Sequence, residues 1–158
     1  MIGAGFSANF HLRALESVRN VEVAGVYALD RAEDLAKAAA RMGLGQTQVY
    51  DTVQKLCQAV DVVGIFTPNY TRLSILREIS KAVENGAALK GIICEKPLAR
   101  NVGEADIMAR MAKALNVPNA YFENQLHMPC IIEARRQLAG VEQSMGAVHL
   151  ARSAEEHG

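Results

Sequence analysis

Gly3-Ala4-Gly5-Phe6-Ser7-Ala8 is the stretch on which the reading of this chain turns. Two glycines one residue apart open a segment with helical spacing. In a G-x-G-x-x-A pattern the first glycine permits a tight turn and the second lets the backbone approach a pyrophosphate. The small third residue allows close helix-to-sheet packing. The helix start then offers unpaired N–H groups and the positive end of its dipole to an anion. Taken alone, the hexapeptide fits an ordinary glycine turn before a helix equally well, and its context decides. A complete unit has a strand of about five or six residues ahead of the loop, whereas only Met1 and Ile2 precede it here.

Working outward, Phe6, Phe10, Ala14 and Val18 recur four apart, with Leu15 beside them, and predict a helix over 6–18 with that face turned to a sheet. Residues 21–27 are short, β-branched and nearly uncharged, as in a buried parallel strand. A helix over 30–42 follows, stopped by Gly43 and Gly45. Residues 47–50 predict a short strand, and Asp51 with Gln54 a capping box opening a short helix. Residues 60–66 form the clearest strand and run into Thr67-Pro68-Asn69, where proline forces a turn. Leu73, Leu76, Ile79 and Val83 mark the next helix. Residues 91–94 are an uncharged strand leading into Glu95-Lys96-Pro97. Asn101 and Glu104 cap a helix carrying Ala105, Met108, Ala112 and Leu115 inward. A strand at 120–122, a helix at 131–138 and an extended start at 147–151 complete the chain.

Strands alternating with helices predict an α/β, Rossmann-like doubly wound parallel sheet with helices on both faces and its first strand largely missing. In the 3-2-1-4-5-6 order that strand is central and pairs on both sides. Two residues are not expected to fill its slot, so exposed edges beside the second and fourth strands, and marginal stability or unusual association, are expected.

Composition narrows the partners. In 158 residues, half of them hydrophobic, 17 basic side chains balance 17 acidic ones. That balance argues against nucleic acid or an anionic membrane as partner and leaves a small molecule. Cys57, Cys94 and Cys130 are odd in number and lack a C-x-x-C pair, as expected for reduced, buried thiols. No apolar run or leader marks a membrane or export route, so a cytoplasmic protein is expected.

In such a sheet, ligands bind beyond the carboxyl ends of the strands. Four loops lie there: the Gly3 loop, residues 28–30, Thr67-Pro68-Asn69 and Glu95-Lys96-Pro97. Asp30 sits 25 residues after Gly5, against roughly 20 for the carboxylate that bonds the ribose of NAD; capping of the second helix accounts for it equally. Arg31 beside it suits the 2′-phosphate of NADP. The cofactor reading is therefore NAD or NADP, favouring NAD. Lys96, after an uncharged strand and before proline, is placed by rigid backbone at the crevice mouth. There it could hydrogen-bond a substrate hydroxyl while Glu95 holds the cofactor or balances charge; an exposed loop pair is the plainer alternative. His11 reads as structural rather than as a proton shuttle. No metal set and no nucleophile elbow accompany these residues.

The ordered set Gly3-Ala4-Gly5 through His11, Thr67-Pro68-Asn69 and Cys94-Glu95-Lys96-Pro97-Leu98-Ala99 resembles the glucose-fructose oxidoreductase and inositol dehydrogenase family (Gfo/Idh/MocA). The resemblance covers nearly the whole chain. It implies NAD(P)-dependent chemistry at a hydroxyl-bearing carbon of a sugar, cyclitol or related small molecule. By it, Lys96 matches the active-site lysine. Gly3, Gly5, Thr67, Pro68, Asn69 and Glu95 match cofactor-binding positions, to which Phe6, Ser7, Asp30, Arg31, Lys96 and Pro97 are added, and the Lys96–Pro97 bond resembles one that is often cis. Arg72 replaces a usual histidine, and Ala28 a usual ribose-binding residue. In the segment resembling N-x-R-F-x-P, Asn124 and Pro129 agree, while Leu126 and His127 depart. Family members continue into an α+β substrate domain, which often carries an oligomer interface. The chain is accordingly read as a Rossmann domain at 1–146 with the start of a truncated second domain at 147–158. A homo-oligomer is compatible with this. A dinucleotide-binding or remnant domain without catalysis is the alternative.

Overall fold

A computed structural model describes residues 1–150 and 152. Its contacts divide the chain into two compact units, Met1–Phe122 and Glu123–Gly158.

The first unit alternates helix and strand as expected: α1 (Phe6–Leu15), β1 (Gly25–Val26), α2 (Ala32–Arg41), β2 (Gln48–Val49), α3 (Val53–Ala59), β3 (Val62–Ile65), α4 (Asn69–Glu84), β4 (Gly91–Glu95), α5 (Val102–Ala114) and β5 (Asn119–Phe122). All strand pairs are parallel, β1 with β2 on one side and β3-β4-β5 on the other. Ile2 joins the halves through parallel bridges to Tyr27 and Ile65. Its N–H donates to the Gly64 carbonyl at 2.8 Å and its own carbonyl accepts from Phe66 N–H at 2.8 Å. On the other side Gly3 N–H donates to Tyr27 O and Tyr27 N–H to Met1 O, at 2.8 and 2.9 Å. Counting Ile2 as the first strand gives the 3-2-1-4-5-6 order of a Rossmann sheet.

This corrects the expectation that two residues cannot hold the central slot. Backbone pairing needs only the groups facing each neighbour, and Met1 to Gly3 present them to both. Exposure remains upstream, where Val21 is 37% and Val62 46% exposed.

Two apolar clusters lie in the unit. One unites Ile2, Val63, Ile65, Ile92 and Cys94 with residues of α3, α4 and α5; the other unites Ala4, Ala8, Leu12 and Val26 with α2. The strand residues of the first cluster recur at alternate positions on β3 and β4, as one face of a sheet requires.

The inward face of α1 differs from expectation. Phe6, Phe10 and Val18 are exposed, and the helix buries Ala8 and Leu12 instead. Both stripes have helical spacing; the one that turns inward is Ala8 and Leu12, which join Ala4, Val26 and residues of α2 in the second cluster. On α4 the buried stripe is Arg72, Ile75, Leu76, Ile79 and Ala82, with Leu73 and Val83 only partly covered. The cap of α3 is Thr52, whose hydroxyl accepts from Lys55 N–H, rather than Asp51, which pairs with the Lys55 ammonium at 2.7 Å. Asn101 caps α5 as expected, accepting from Glu104 N–H.

The second unit holds a 3-10 turn at Asn124–His127 and α6 (Pro129–Met145), longer at both ends than the sequence indicated. Residues 147–150 form no strand. Ala151 and residues 153–158 of the expected second-domain start lie outside the described residues. No helix among the described residues is long and apolar enough to cross a membrane.

Ile2 is fully buried, so Ile2→Ala should cost about 2–5 kcal/mol in urea unfolding while keeping the backbone bridges. Phe10→Ser, which by sequence pattern alone should be comparably damaging, should stay within about 0.5 kcal/mol of the parent.

Candidate functional site

Gly3 adopts φ +101°, and a Cβ there would lie 3.0 Å from Thr67 Cγ2 and 3.1 Å from the Phe66 carbonyl carbon and Thr67 N. Only glycine meets both demands, so the first loop is seated directly on the Thr67 turn. Gly5 differs. Its backbone is extended, with φ −79° and ψ −163°, and a Cβ would meet nothing within 4 Å. It precedes α1, which has no side-chain cap and no acidic residue in its first turn. The space in front of these N–H groups thus stays open for an anion such as a pyrophosphate. Asn9 steadies the loop, its amide donating to the Gly5 carbonyl at 2.9 Å and the Ala4 carbonyl at 3.3 Å. Ser7 lies in the same first turn, and Phe6 projects into solvent, stacked on Phe10 at 6.4 Å.

At the end of β3, Pro68 is the N-cap of α4 and Asn69 its first residue. Thr71 Oγ1 donates to the Pro68 carbonyl and lies 2.9 Å from Thr67 Oγ1. One turn into α4, Arg72 is 4% exposed. Its Nε donates to the Thr67 carbonyl at 2.8 Å, Nη1 to the carbonyls of Glu95 and Pro97, and Nη2 to the Lys96 carbonyl at 3.3 Å. The Lys96–Pro97 bond is cis. Glu95, at the end of β4, is buried, and its Oε1 lies 2.8 Å from His11 Nε2. The His11 ring sits between Phe66 and Phe122, at centroid distances of 4.8 and 5.0 Å. Lys96 itself is exposed, and among the described residues its ammonium makes no ion pair.

The structure therefore brings Gly3, Gly5, Thr67, Pro68, Asn69, Glu95, Lys96 and Pro97 into one linked set of loops. Asp30 and Arg31 follow β1 and stand apart from that network, both exposed and paired with each other at 3.5 Å. Asp30 is not the cap of α2; Arg31 occupies that position in the left-handed region, with no side-chain cap bond. Sequence reasoning missed Asn9, and it saw Arg72 only as a departure and His11 only as structural. The signal for Arg72 was its place three residues before Ile75 on a stripe that continues to Ile79. Burial pushes the Cys57 and Cys94 thiols up to about 11, which keeps them protonated in the folded chain. Cys130, expected to be buried with them, is exposed.

Comparison with known proteins places this geometry. The model of the GFO_IDH_MocA family, oxidoreductases with an NAD-binding Rossmann fold, matches residues 1–122. The chain belongs to this family. Glucose-6-phosphate 3-dehydrogenase of Bacillus subtilis (strain 168) is 30% identical over 119 residues, 74% of this Gfo/Idh/MocA chain and 31% of its own length. The uncharacterized protein YMR315W of Saccharomyces cerevisiae is 29% identical over 121 residues, 75% of this chain and 32% of its own length. The solved structure of UDP-N-acetylglucosamine 3-dehydrogenase GnnA from Acidithiobacillus ferrooxidans matches with a TM-score of 0.68 at 26% identity, over 86% of this chain and 41% of the other. The chain spans about a third of the length of the curated relatives it matches.

The two glycines should separate on mutation. Gly3→Ala meets both strain and backbone contact and should lose at least about 1–3 kcal/mol. Gly5→Ala should lose less than about 1 kcal/mol. Urea denaturation of both variants checks this.

Proposed function

We propose that this chain holds the cofactor of an NAD(P)-dependent oxidoreductase acting at a hydroxyl-bearing carbon of a sugar, cyclitol or related small molecule. The observation that carries the reading is the linkage of three loops at the carboxyl ends of the strands: Gly3 against Thr67, and Arg72 from Thr67 to the carbonyls of residues 95–97. The sugar-related substrates named for the Bacillus subtilis and Acidithiobacillus ferrooxidans relatives support the substrate class.

On this reading the first-turn N–H groups of α1 hold the pyrophosphate, with Gly5 leaving room for it, and Thr67, Pro68, Asn69 and Glu95 line the path towards the nicotinamide. The dinucleotide, when bound, supplies the hydride acceptor or donor. Lys96 hydrogen-bonds the substrate hydroxyl and exchanges a proton with it. Asp30 favours NAD, because a carboxylate that suits a ribose diol repels a 2′-phosphate; Arg31 supplies the competing preference for NADP. All of the proposed cofactor contacts lie within Met1–Phe122, the unit that the family model matches. Three cysteines without a disulfide accord with a cytoplasmic setting.

Fluorescence titration of the chain with NADH, and in parallel with NADPH, tests the proposal. Saturable enhancement should appear, tighter with NADH. Gly5→Val folds on an unstrained backbone yet fills the open space, so it should weaken binding at least about tenfold. Absence of saturable binding by either nucleotide would contradict the proposal.

A further inference from the structure

Arg72 is a buried cation that has no carboxylate partner among the described residues. A guanidinium stays protonated in any protein interior, and a charge removed from water is tolerated only where hydrogen bonds replace its hydration. Here backbone carbonyls do so, from Thr67 on one loop and from Glu95, Lys96 and Pro97 on another. Successive carbonyls of an extended strand point alternately to opposite sides. The chain leaves the extended strand after Glu95, and the carbonyls of residues 95–97 converge on the one side chain of Arg72, which thereby bonds the chain on both sides of Lys96. The same strand end has a second tether in the contact of Glu95 with His11. Contacts run in a closed ring, from the Gly3 loop to Thr67, to Arg72, to Glu95, to His11 and back along α1.

We propose that Arg72 is the positioning residue of this site: it ties the Thr67 turn to the Glu95-Lys96-Pro97 loop and holds Lys96 in place before any ligand arrives. The proposal rests on the reading of Lys96 as the residue that handles the substrate proton. Lysine at this position could not replace Arg72, since a single ammonium lacks the planar fork that spans both loops.

The test uses the two buried cysteines. Cys94 immediately precedes the tethered segment, its Sγ lying 3.7 Å from the Glu95 carbonyl that Arg72 binds. Cys57 lies on α3 in the same apolar cluster but outside the tether. The native chain is alkylated with N-ethylmaleimide and each cysteine is followed by peptide mass spectrometry, with exposed Cys130 as the fast reference. In Arg72→Lys, Cys94 should react at least about tenfold faster relative to Cys57, because local opening of the loop no longer breaks the charged hydrogen bonds. Ile79→Val, buried on α4 away from the loops, should leave the ratio of Cys94 to Cys57 rates unchanged. Arg72→Met also removes the cation that favours the Cys94 thiolate, which by itself would slow Cys94, so the raised ratio expected there too reports opening of the loop. An unchanged ratio in both Arg72 variants, through equal acceleration of the two thiols or of neither, would overturn the proposal. No cofactor enters this measurement, so its failure is distinct from failure of the nucleotide reading.

Discussion

A single residue in the middle of the sheet, Ile2, carries the connection between its halves. Its N–H and C=O are bonded to Gly64 and Phe66 on one flank, and its neighbours Met1 and Gly3 exchange bonds with Tyr27 on the other. Its side chain lies fully buried in the cluster formed by α3, α4 and α5. Without this double pairing, β2-β1 and β3-β4-β5 would be separate parallel sheets with unsatisfied backbone groups along their facing edges. The position of Ile2 also fixes where the chain must turn. The next residue takes positive φ against the Thr67 turn, and α1 starts three residues later.

The site inherits its order from that turn. Gly3 packs on Thr67, so the first loop and the β3 loop cannot move independently. Arg72 extends the constraint to the end of β4, and the contact of His11 with Glu95 returns it to α1. A buried charge is costly when any of its acceptors is lost, so this arrangement gives backbone around Lys96 a defined shape in a part of the fold that consists of loops. The N–H groups at the start of α1, by contrast, carry no side-chain cap among the described residues, as binding an anion there requires. Rigidity and openness are thus assigned to different residues of one short segment.

Much of this was legible in the sequence. Apolar runs with at most one charge, bounded by Gly, Pro and Asn, located β1, β3 and β4, and their loops supplied nearly every residue of the linked site. The inward face of α1 was not legible, because two stripes share the helical period and the large aromatic residues outweigh alanine in any hydrophobic count. What decided for Ala8 and Leu12 was the cluster they join with Val26 and α2, a long-range packing that helical spacing does not reveal. Arg72 was hidden for a related reason: a charged residue on an apolar stripe reads as an interruption until the carbonyls that solvate it are seen. The central slot was misjudged because strand length was taken as the measure of pairing, whereas a parallel bridge needs only the few backbone groups that face each neighbour.

Titration of the isotopically labelled chain with NADH, followed residue by residue through amide NMR shifts, tests most directly the claim that these loops form one dinucleotide site. The account predicts saturating shifts at residues 3–7, at Thr67 and Asn69, and at Glu95 and Lys96, all with a common dissociation constant. Shifts confined to the outer faces of α4 and α5, or shifts at the first loop alone with the Lys96 loop unaffected, would contradict it.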